Sequence, residues 1–233
     1  MAKFVVAIDG GAGSGKSTTA KAVAKRLKFF YLDTGAMYRA ATLKYLRCGG
    51  STDNIDTALV REIIKHTVIN LRQEGSKILV FLDNKDVTLE IRTTPVNNFV
   101  SPISALPEIR EWMVQKQREV AEGKNVICEG RDIGTVVFPD AQVKIYMQAD
   151  LKIRAQRRQK ELDEKNIEAD FNKVVENLKF RDKYDSNRVH SPLKKAEDAI
   201  ILDTTDITIE QEVDFVEKIV REKLKEIPKI QNI

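Results

Sequence analysis

An α/β fold with a parallel central sheet flanked by helices is what this 233-residue chain predicts, and three observations carry the prediction. Short runs of strand length recur at Phe4 to Ile8, Phe29 to Leu32, Asn125 to Cys128, Val143 to Met147 and Ala199 to Leu202; their apolar content suits strands covered on both faces. Segments of helical period lie between them, the alternation that builds a parallel sheet. The third observation is the stretch Gly10-Gly11-Ala12-Gly13-Ser14-Gly15-Lys16-Ser17-Thr18, which joins the first run to the first helical segment. That is the strand, loop, helix context of a phosphate cradle.

The stretch fits G-x-x-x-x-G-K-[ST], with Gly10, Gly15, Lys16 and Ser17 in the fixed places. Glycines let the backbone turn with positive φ, so its N–H groups converge with the helix N-terminus on one anionic site. Lys16 reaches the β and γ phosphates as a point charge, and the Ser17 hydroxyl joins the coordination sphere of a magnesium ion. A glycine-rich turn that merely connects strand to helix would not require all the fixed positions and both flanks. Residues Gly10 to Thr18 are therefore the expected ATP-binding set, with Ser17 as the metal contact.

Bulk properties narrow the class. The length suits one sizeable domain. Hydrophobic content of 42% and charged content of 32% describe a soluble globular protein, and no apolar run approaches the ~20 residues of a membrane span. Met1-Ala2-Lys3 leads straight into the first strand, so no secretory leader is expected. Cys48 and Cys128 lie far apart, form no metal spacing and are expected to be buried thiols in a reducing cytoplasm. The net charge of +4 is spread along the chain, and its densest basic run, Arg154 to Lys160, holds no aromatic residue. Nucleic acid and membrane are not expected partners; the surplus arginine is read as serving small phosphorylated ligands.

Along the chain, Ser17 to Leu27 carries Ala20, Val23, Ala24 and Leu27 at helical spacing. After the second run, Asp33 or Thr34 caps the next helix, and a hydroxyl there with Arg39 one turn on makes a second, smaller anion site. An ordinary cap followed by a solvated arginine fits equally well. Asn54 to Lys65 reads as an amphipathic helix. Val68 to Leu71 and Ile78 to Leu82 read as strands, with turns at Gly75-Ser76 and Asp83-Asn84-Lys85. This antiparallel excursion would serve as well for decoration as for substrate. Ser101 follows it, and Pro102 is expected to break the chain.

Pro107 to Ala121 reads as a helix with Leu106, Ile109, Met113 and Val120 on one stripe and Trp112 in the core. Arg110 at the border leans over a pocket or snorkels to water. The next strand ends in Glu129-Gly130-Arg131-Asp132, beyond the carboxyl ends of the sheet where ligands collect; Glu129 is a further magnesium candidate, acting through water. In the helix Leu151 to Leu162, Arg154, Arg157 and Arg158 fall at i, i+3 and i+4 and share a face. The helix Phe171 to Arg188 aligns Arg181, Asp185 and Arg188. Base before acid at i, i+4 is the weaker order for an ion pair, which favours ligand contact. A closing helix is expected over Ile207 to Leu224. His66 and His190 lack the partners of a dyad or metal site.

The P-loop followed by Asp33-Thr34-Gly35-Ala36-Met37-Tyr38-Arg39 resembles the nucleoside monophosphate kinases, in particular the bacterial cytidylate kinases. The resemblance continues through Ile91-Arg92-Thr93, Val100-Ser101, Arg110, Glu129 to Ala141, and Arg181-Asp182-x-x-Asp185-x-x-Arg188, so it runs nearly end to end. It implies the P-loop kinase fold with a core (1–33, 103–148, 169–233), a monophosphate-binding part with an antiparallel insert (34–102) and a short arginine-bearing lid (149–168). It implies a monomeric enzyme that moves the γ-phosphoryl group of MgATP to CMP or dCMP. Ser101, Arg110 and Asp132 would then face cytosine and Asp185 a sugar hydroxyl, with Thr34, Arg39, Arg131, Arg181 and Arg188 on the monophosphate and its sugar. Lys16, Arg131, Arg154, Arg158 and Arg181 would serve the transferring group. Such chemistry needs no general base, because the attacking phosphate monoester is largely dianionic at neutral pH.

Three rivals share the P-loop. A kinase of another small acceptor differs in its substrate. A GTP switch predicts N-K-x-D after a strand, which Asn84-Lys85-Asp86-Val87 misses in spacing. A P-loop RNA-binding protein predicts salt-dependent RNA binding.

Overall fold

The computed structural model describes residues 1–51, 53–75, 77–164 and 168–226. β1 (Phe4–Gly10) runs through the cradle into α1 (Lys16–Leu27), and β2 (Phe30–Asp33) hands over directly to α2 (Thr34–Arg47). Then come α3 (Thr57–His66), β3 (Ile69–Glu74), β4 (Lys77–Leu82), β5 (Lys85–Asp86), α4 (Thr94–Ser104) and α5 (Pro107–Ala121). The chain closes with β6 (Asn125–Gly130), β7 (Val143–Gln148), α6 (Leu151–Asp163), α7 (Phe171–Ser186), β8 (Ile200–Asp203) and α8 (Ile209–Glu226).

Five strands pair in the order β2-β6-β1-β7-β8, all parallel, as the run lengths predict. β1 is central and buried at every position, because helices cover both faces. Val23 of α1 and Val216 of α8 pack on Val6 and Ile8. Met37 of α2 and Met113 and Trp112 of α5 pack on the opposite side with Ala7 and Leu32. The chain leaves β1 towards β2 on one side, while β7 and β8 lie on the other. That reversal opens a crevice beyond the carboxyl end of β1, where the cradle sits.

The excursion is a three-stranded antiparallel sheet, β3-β4-β5, with Ile69 opposite Leu82 and Glu74 opposite Lys77. Ile69, Val80 and Leu82 join the core cluster that contains Leu43 and Tyr45 of α2, which anchors the sheet. The β4–β5 turn places Asp83 and Asn84 at φ of 50° and 66°, the positive angles of a two-residue hairpin loop. Ser76 of the expected first turn lies outside the described residues, as do 165–167 of the expected lid and 227–233 of the expected core.

Several expectations are corrected. Pro102 lies inside α4 instead of breaking the chain; it forgoes one bond, to the carbonyl of Asn98, in a helix that burial of Val96, Val100 and Ile103 holds in place. The expected boundary at 102/103 consequently falls within a helix. Arg188 stands beyond α7, whose C-cap is Asn187. Cys48, the C-cap of α2, is exposed, whereas Cys128 in β6 is buried. Among the described residues no helix is long and apolar enough to cross a membrane.

Candidate active site

The cradle's glycines are dictated by close approach. A Cβ on Gly10 would stand 2.1 Å from the Met147 carbonyl oxygen, and Gly13 and Gly15 adopt φ of 76° and 92°, angles that suit glycine. Gly15 precedes α1 without a side-chain cap, and the first turn of α1 holds no acidic residue. The positive end of the helix is thus left for an anion. Lys16 is folded back on the loop, its Nζ donating to the Gly11 carbonyl at 2.6 Å and to Ser14 Oγ at 3.3 Å. Burial pushes the lysine down to about 7, Arg131 adds to the effect, and Glu129 and Asp9 oppose it.

Beside the loop, β6 delivers Glu129, a buried carboxylate that accepts from the Tyr31 hydroxyl. Burial raises its pKa, and Asp33 adds to that rise. Of the two candidate caps of α2, Asp33 performs the task, accepting from the Ala36 N–H at 2.9 Å. The Thr34 hydroxyl instead donates to the Glu129 carbonyl at 2.7 Å, so its proton is engaged by β6 and not free for an anion. Arg39 is not merely solvated: it donates to the Gly35 carbonyl at 3.1 Å and to Asn97 Oδ1 at 3.3 Å.

The far end is built from side chains. Arg110 is 3% exposed, which rules out the snorkelling alternative; it pairs with buried Asp132 and donates to the Ser104 carbonyl at 3.3 Å. Its guanidinium lies 5.3 Å from the centre of the Tyr38 ring, within cation–π range. Burial raises the Asp132 pKa, against the pull of Arg110. Asp185 accepts from Arg131 Nε at 2.8 Å and also from Arg188, which reaches Ser104 Oγ at 3.1 Å. Burial alone would raise the Asp185 carboxyl, but Arg131 and Arg188 hold it below the usual range. Arg181 is pushed down to about 9 by burial and by neighbouring Arg131 and Arg39. The Nε atoms of Arg110, Arg181 and Arg188 are buried without a partner among the described residues. Unspent donors of this kind call for an acceptor.

The lid helix α6 separates its arginines. Arg158 faces the cleft and pairs with Glu161 at 2.8 Å. Arg154 Nη1 lies on Asp182 Oδ2 at 2.6 Å and on the Ala12 carbonyl at 3.1 Å. Arg157 turns to the Thr204 carbonyl at 2.6 Å, so the three do not act from one face, contrary to the spacing argument.

These groups line one cleft of about 370 Å³. Every residue expected at the site lines it except Gly10, Gly11 and two of the three lid arginines, Arg154 and Arg157. Tyr38 and Arg92, which stand in the motifs of the resemblance without an expected role, also line it, as do Ser104 and Asn177, which nothing in their spacing marks. Asp9 was missed as well, although a carboxylate at the end of an otherwise apolar strand is a legible signal. Its carboxylate accepts from the Ile133 and Gly134 N–H groups, each at 2.8 Å. Burial raises it to about 6 despite those bonds.

A glycine cradle at the switch point of a parallel sheet, facing a second cationic cluster across one cleft, makes this a P-loop nucleotide-binding protein. Comparison with known sequences narrows the class. The family described as Cytidylate kinase matches residues 6–223, and the chain belongs to that family. The cytidylate kinase of Streptococcus pyogenes serotype M18 is 50% identical over 218 residues, covering 94% of this chain and 96% of that protein. That of Caldanaerobacter subterraneus subsp. tengcongensis is 50% identical over 220 residues, with the same coverage of 94% and 96%. Among solved structures, an uncharacterized protein from Eubacterium ventriosum superposes with a TM-score of 0.53 at 12% identity, over 94% of this chain and 99% of that one. That likeness bears on the fold alone.

Proposed function

We propose that this member of the cytidylate kinase family transfers the γ-phosphoryl group of MgATP to CMP or dCMP, giving ADP and CDP or dCDP. One observation carries the reading: a single cleft has the phosphate cradle at one end and, at the other, the Arg110–Asp132 pair and the Arg131–Asp185–Arg188 cluster. One chain supplies every group, so the working unit is read as a monomer. The free thiols Cys48 and Cys128 suit a reducing cytoplasm.

A monophosphate oxygen attacks the γ phosphorus as the bond to the ADP oxygen breaks. The dianionic acceptor has no proton to lose, so the task is to hold two polyanions in line. The loop amides and the α1 N-terminus take the β and γ phosphates, and Lys16 exchanges the Gly11 carbonyl for phosphate oxygen. Arg39, Arg131 and Arg181 take the monophosphate, with Thr34 at the rim of that pocket. Arg158 and Arg154 close over the transferring group and exclude water, Arg154 leaving Asp182 to do so. Among the described residues no cluster of three or more His, Cys, Asp or Glu forms a metal cage. This fits a magnesium ion that keeps its waters and phosphate oxygens and takes little from protein, here the Ser17 hydroxyl with Glu129 behind it. Bound there, the ion would neutralise charge on the phosphates.

Cytosine offers an amino donor beside two acceptors. Asp132 accepts from the amino group and Arg110 donates to the acceptors, with Ser101 at the rim, while Asp185 and Arg188 hold the sugar. Uracil carries a carbonyl in place of that amino group and is disfavoured by Asp132. The test is the initial rate of ADP release with CMP, dCMP, UMP, AMP and GMP for the native chain and for Asp132→Ala. The native chain is expected to prefer the cytosine nucleotides. The variant loses CMP over UMP discrimination by about tenfold or more while KM for ATP holds; equal loss for both bases refutes the assignment.

A further inference from the structure

The residues assigned to base and phosphate, Asp132 and Arg131, stand on the short connection that leaves β6, and that connection is immediately wound into a π-helical turn, Ile133–Val137. Asp132 is its first acceptor: its carbonyl takes the Val136 N–H at 2.8 Å and the Val137 N–H at 3.2 Å, and the next bond runs from the Phe138 N–H to the Ile133 carbonyl at 2.7 Å. The orientation of this turn therefore fixes the backbone from which the Asp132 side chain projects. So short a helix cannot hold itself in place.

Two side chains from different elements grip its two ends. Asp9, at the end of β1, receives the Ile133 and Gly134 N–H groups, one on each carboxylate oxygen, at 2.8 Å. Arg118, on α5, donates from Nε to the Val137 carbonyl at 2.8 Å and from Nη2 to the Val136 carbonyl at 2.9 Å. A carboxylate meets the N–H end and a guanidinium meets the C=O end, each bidentate and each of the sign the turn's dipole favours. Neither residue lines the cleft. Asp9 is followed directly by Gly10, so one end of the grip is continuous with the phosphate cradle.

We propose that Asp9 and Arg118 are positioning residues of the monophosphate site: they set the turn, and through it the places of Asp132 and Arg131, relative to the cradle. The inference rests on the reading of Asp132 as the cytosine contact. It makes base discrimination depend on an arginine on the outer side of α5 that touches no ligand.

Arg118 gives the cleaner test because its side chain is exposed and the fold has little reason to fail without it. Arg118→Ala, Arg118→Lys and Asp9→Asn are compared with the native chain and with Asp132→Ala, measuring KM for each substrate, the CMP-to-UMP ratio of kcat/KM, and the thermal midpoint. Arg118→Ala is expected to raise KM for CMP about tenfold, below the ~100-fold that a misplacement of ~1 Å can cost. The base ratio falls with it, and KM for ATP stays within about twofold of native. Arg118→Lys is expected to behave like the alanine variant, since one ammonium cannot reproduce a fork on successive carbonyls; full rescue by lysine would mean that only charge matters and would overturn the proposal. Asp9→Asn should lower the base ratio too, because an amide presents a donor where one N–H must be accepted. An unchanged ratio in folded Arg118→Ala, or KM for both substrates rising together at constant ratio, overturns the positioning role. If Asp132→Ala itself leaves the ratio unchanged, the base assignment fails, and the proposal falls with it.

Discussion

The two ends of the cleft are made from different materials. At the end read as the triphosphate site the groups are backbone amides and a single lysine, supplied by consecutive residues and shaped by Gly10, Gly13 and Gly15. At the end proposed for the monophosphate they are side chains drawn from α2, α4, α5, α7 and the connection after β6, already tied to one another through Arg110–Asp132 and Arg131–Asp185–Arg188. On the proposed reading the first end suits any triphosphate, since backbone amides read no base. The second is a preset pattern of donors and acceptors, and the proposal places specificity there, because a mismatched ligand leaves buried polar groups unpaired.

The contrast is broken most severely at Lys16. Lys16→Ala is expected to lower kcat by about 10²- to 10³-fold, the scale of losing one preorganised donor to developing charge, with the circular dichroism spectrum unchanged; an active variant would contradict the cradle role. Next is Asp185→Asn, which leaves two arginines sharing an amide. It is expected to cost about 2–3 kcal/mol in urea unfolding, less than the 3–5 kcal/mol of a fully enclosed pair, since Arg131 opens to the cleft. KM for CMP should rise far more than KM for ATP; equal rises would erase the distinction between the two ends.

A pH experiment sharpens the comparison at the joint between them. The Asp9 carboxyl is raised to about 6 by burial, so between pH 4 and 6 the folded chain holds a proton that the unfolded chain has released. Its contribution to stability therefore falls as pH rises through that window and is constant above it. Relative to Asp9→Asn, the native chain should lose about 2–3 kcal/mol from pH 4 to 6.5, at 1.36 kcal/mol per pH unit; parallel curves would show that Asp9 is ionised throughout. The smallest effect is at Asp182, which holds Arg154 in a partly exposed pair. Asp182→Asn is expected to cost less than ~1 kcal/mol and to lower KM for ATP about twofold by freeing Arg154 for phosphate; a raised KM would mean that the pair builds the loop.

The same division explains what was legible in the sequence. The cradle could be read because its geometry is local: spacing fixes Gly10, Gly15, Lys16 and Ser17 without knowledge of the fold. The parallel sheet was legible from run length, and the excursion from the change of period after Lys65. The monophosphate end was legible only through family resemblance, because no local pattern tells that Arg110 on one helix meets Asp132 past a distant strand. Spacing misled where a helix face was taken to settle direction: Arg154, Arg157 and Arg158 share a stripe of α6, yet their long stems reach Asp182, Thr204 and the cleft respectively. Spacing left the cap of α2 open between Asp33 and Thr34, because a cap depends on which neighbour offers the better oxygen; Pro102 was misread because burial of Val96, Val100 and Ile103 holds α4 together through the loss of one bond. Asp9 and Arg118 act on backbone atoms of a turn remote in sequence, which no side-chain motif records.

The account rests on two anionic ligands held at once, end to end, in one cleft. An adenosine and a cytidine joined through their 5′ oxygens by five phosphates would span both ends, and competition kinetics with that compound test the claim most directly. The account predicts one molecule bound per chain, competitive against ATP and against CMP alike. Competition with ATP alone, undisturbed by saturating CMP, would contradict it.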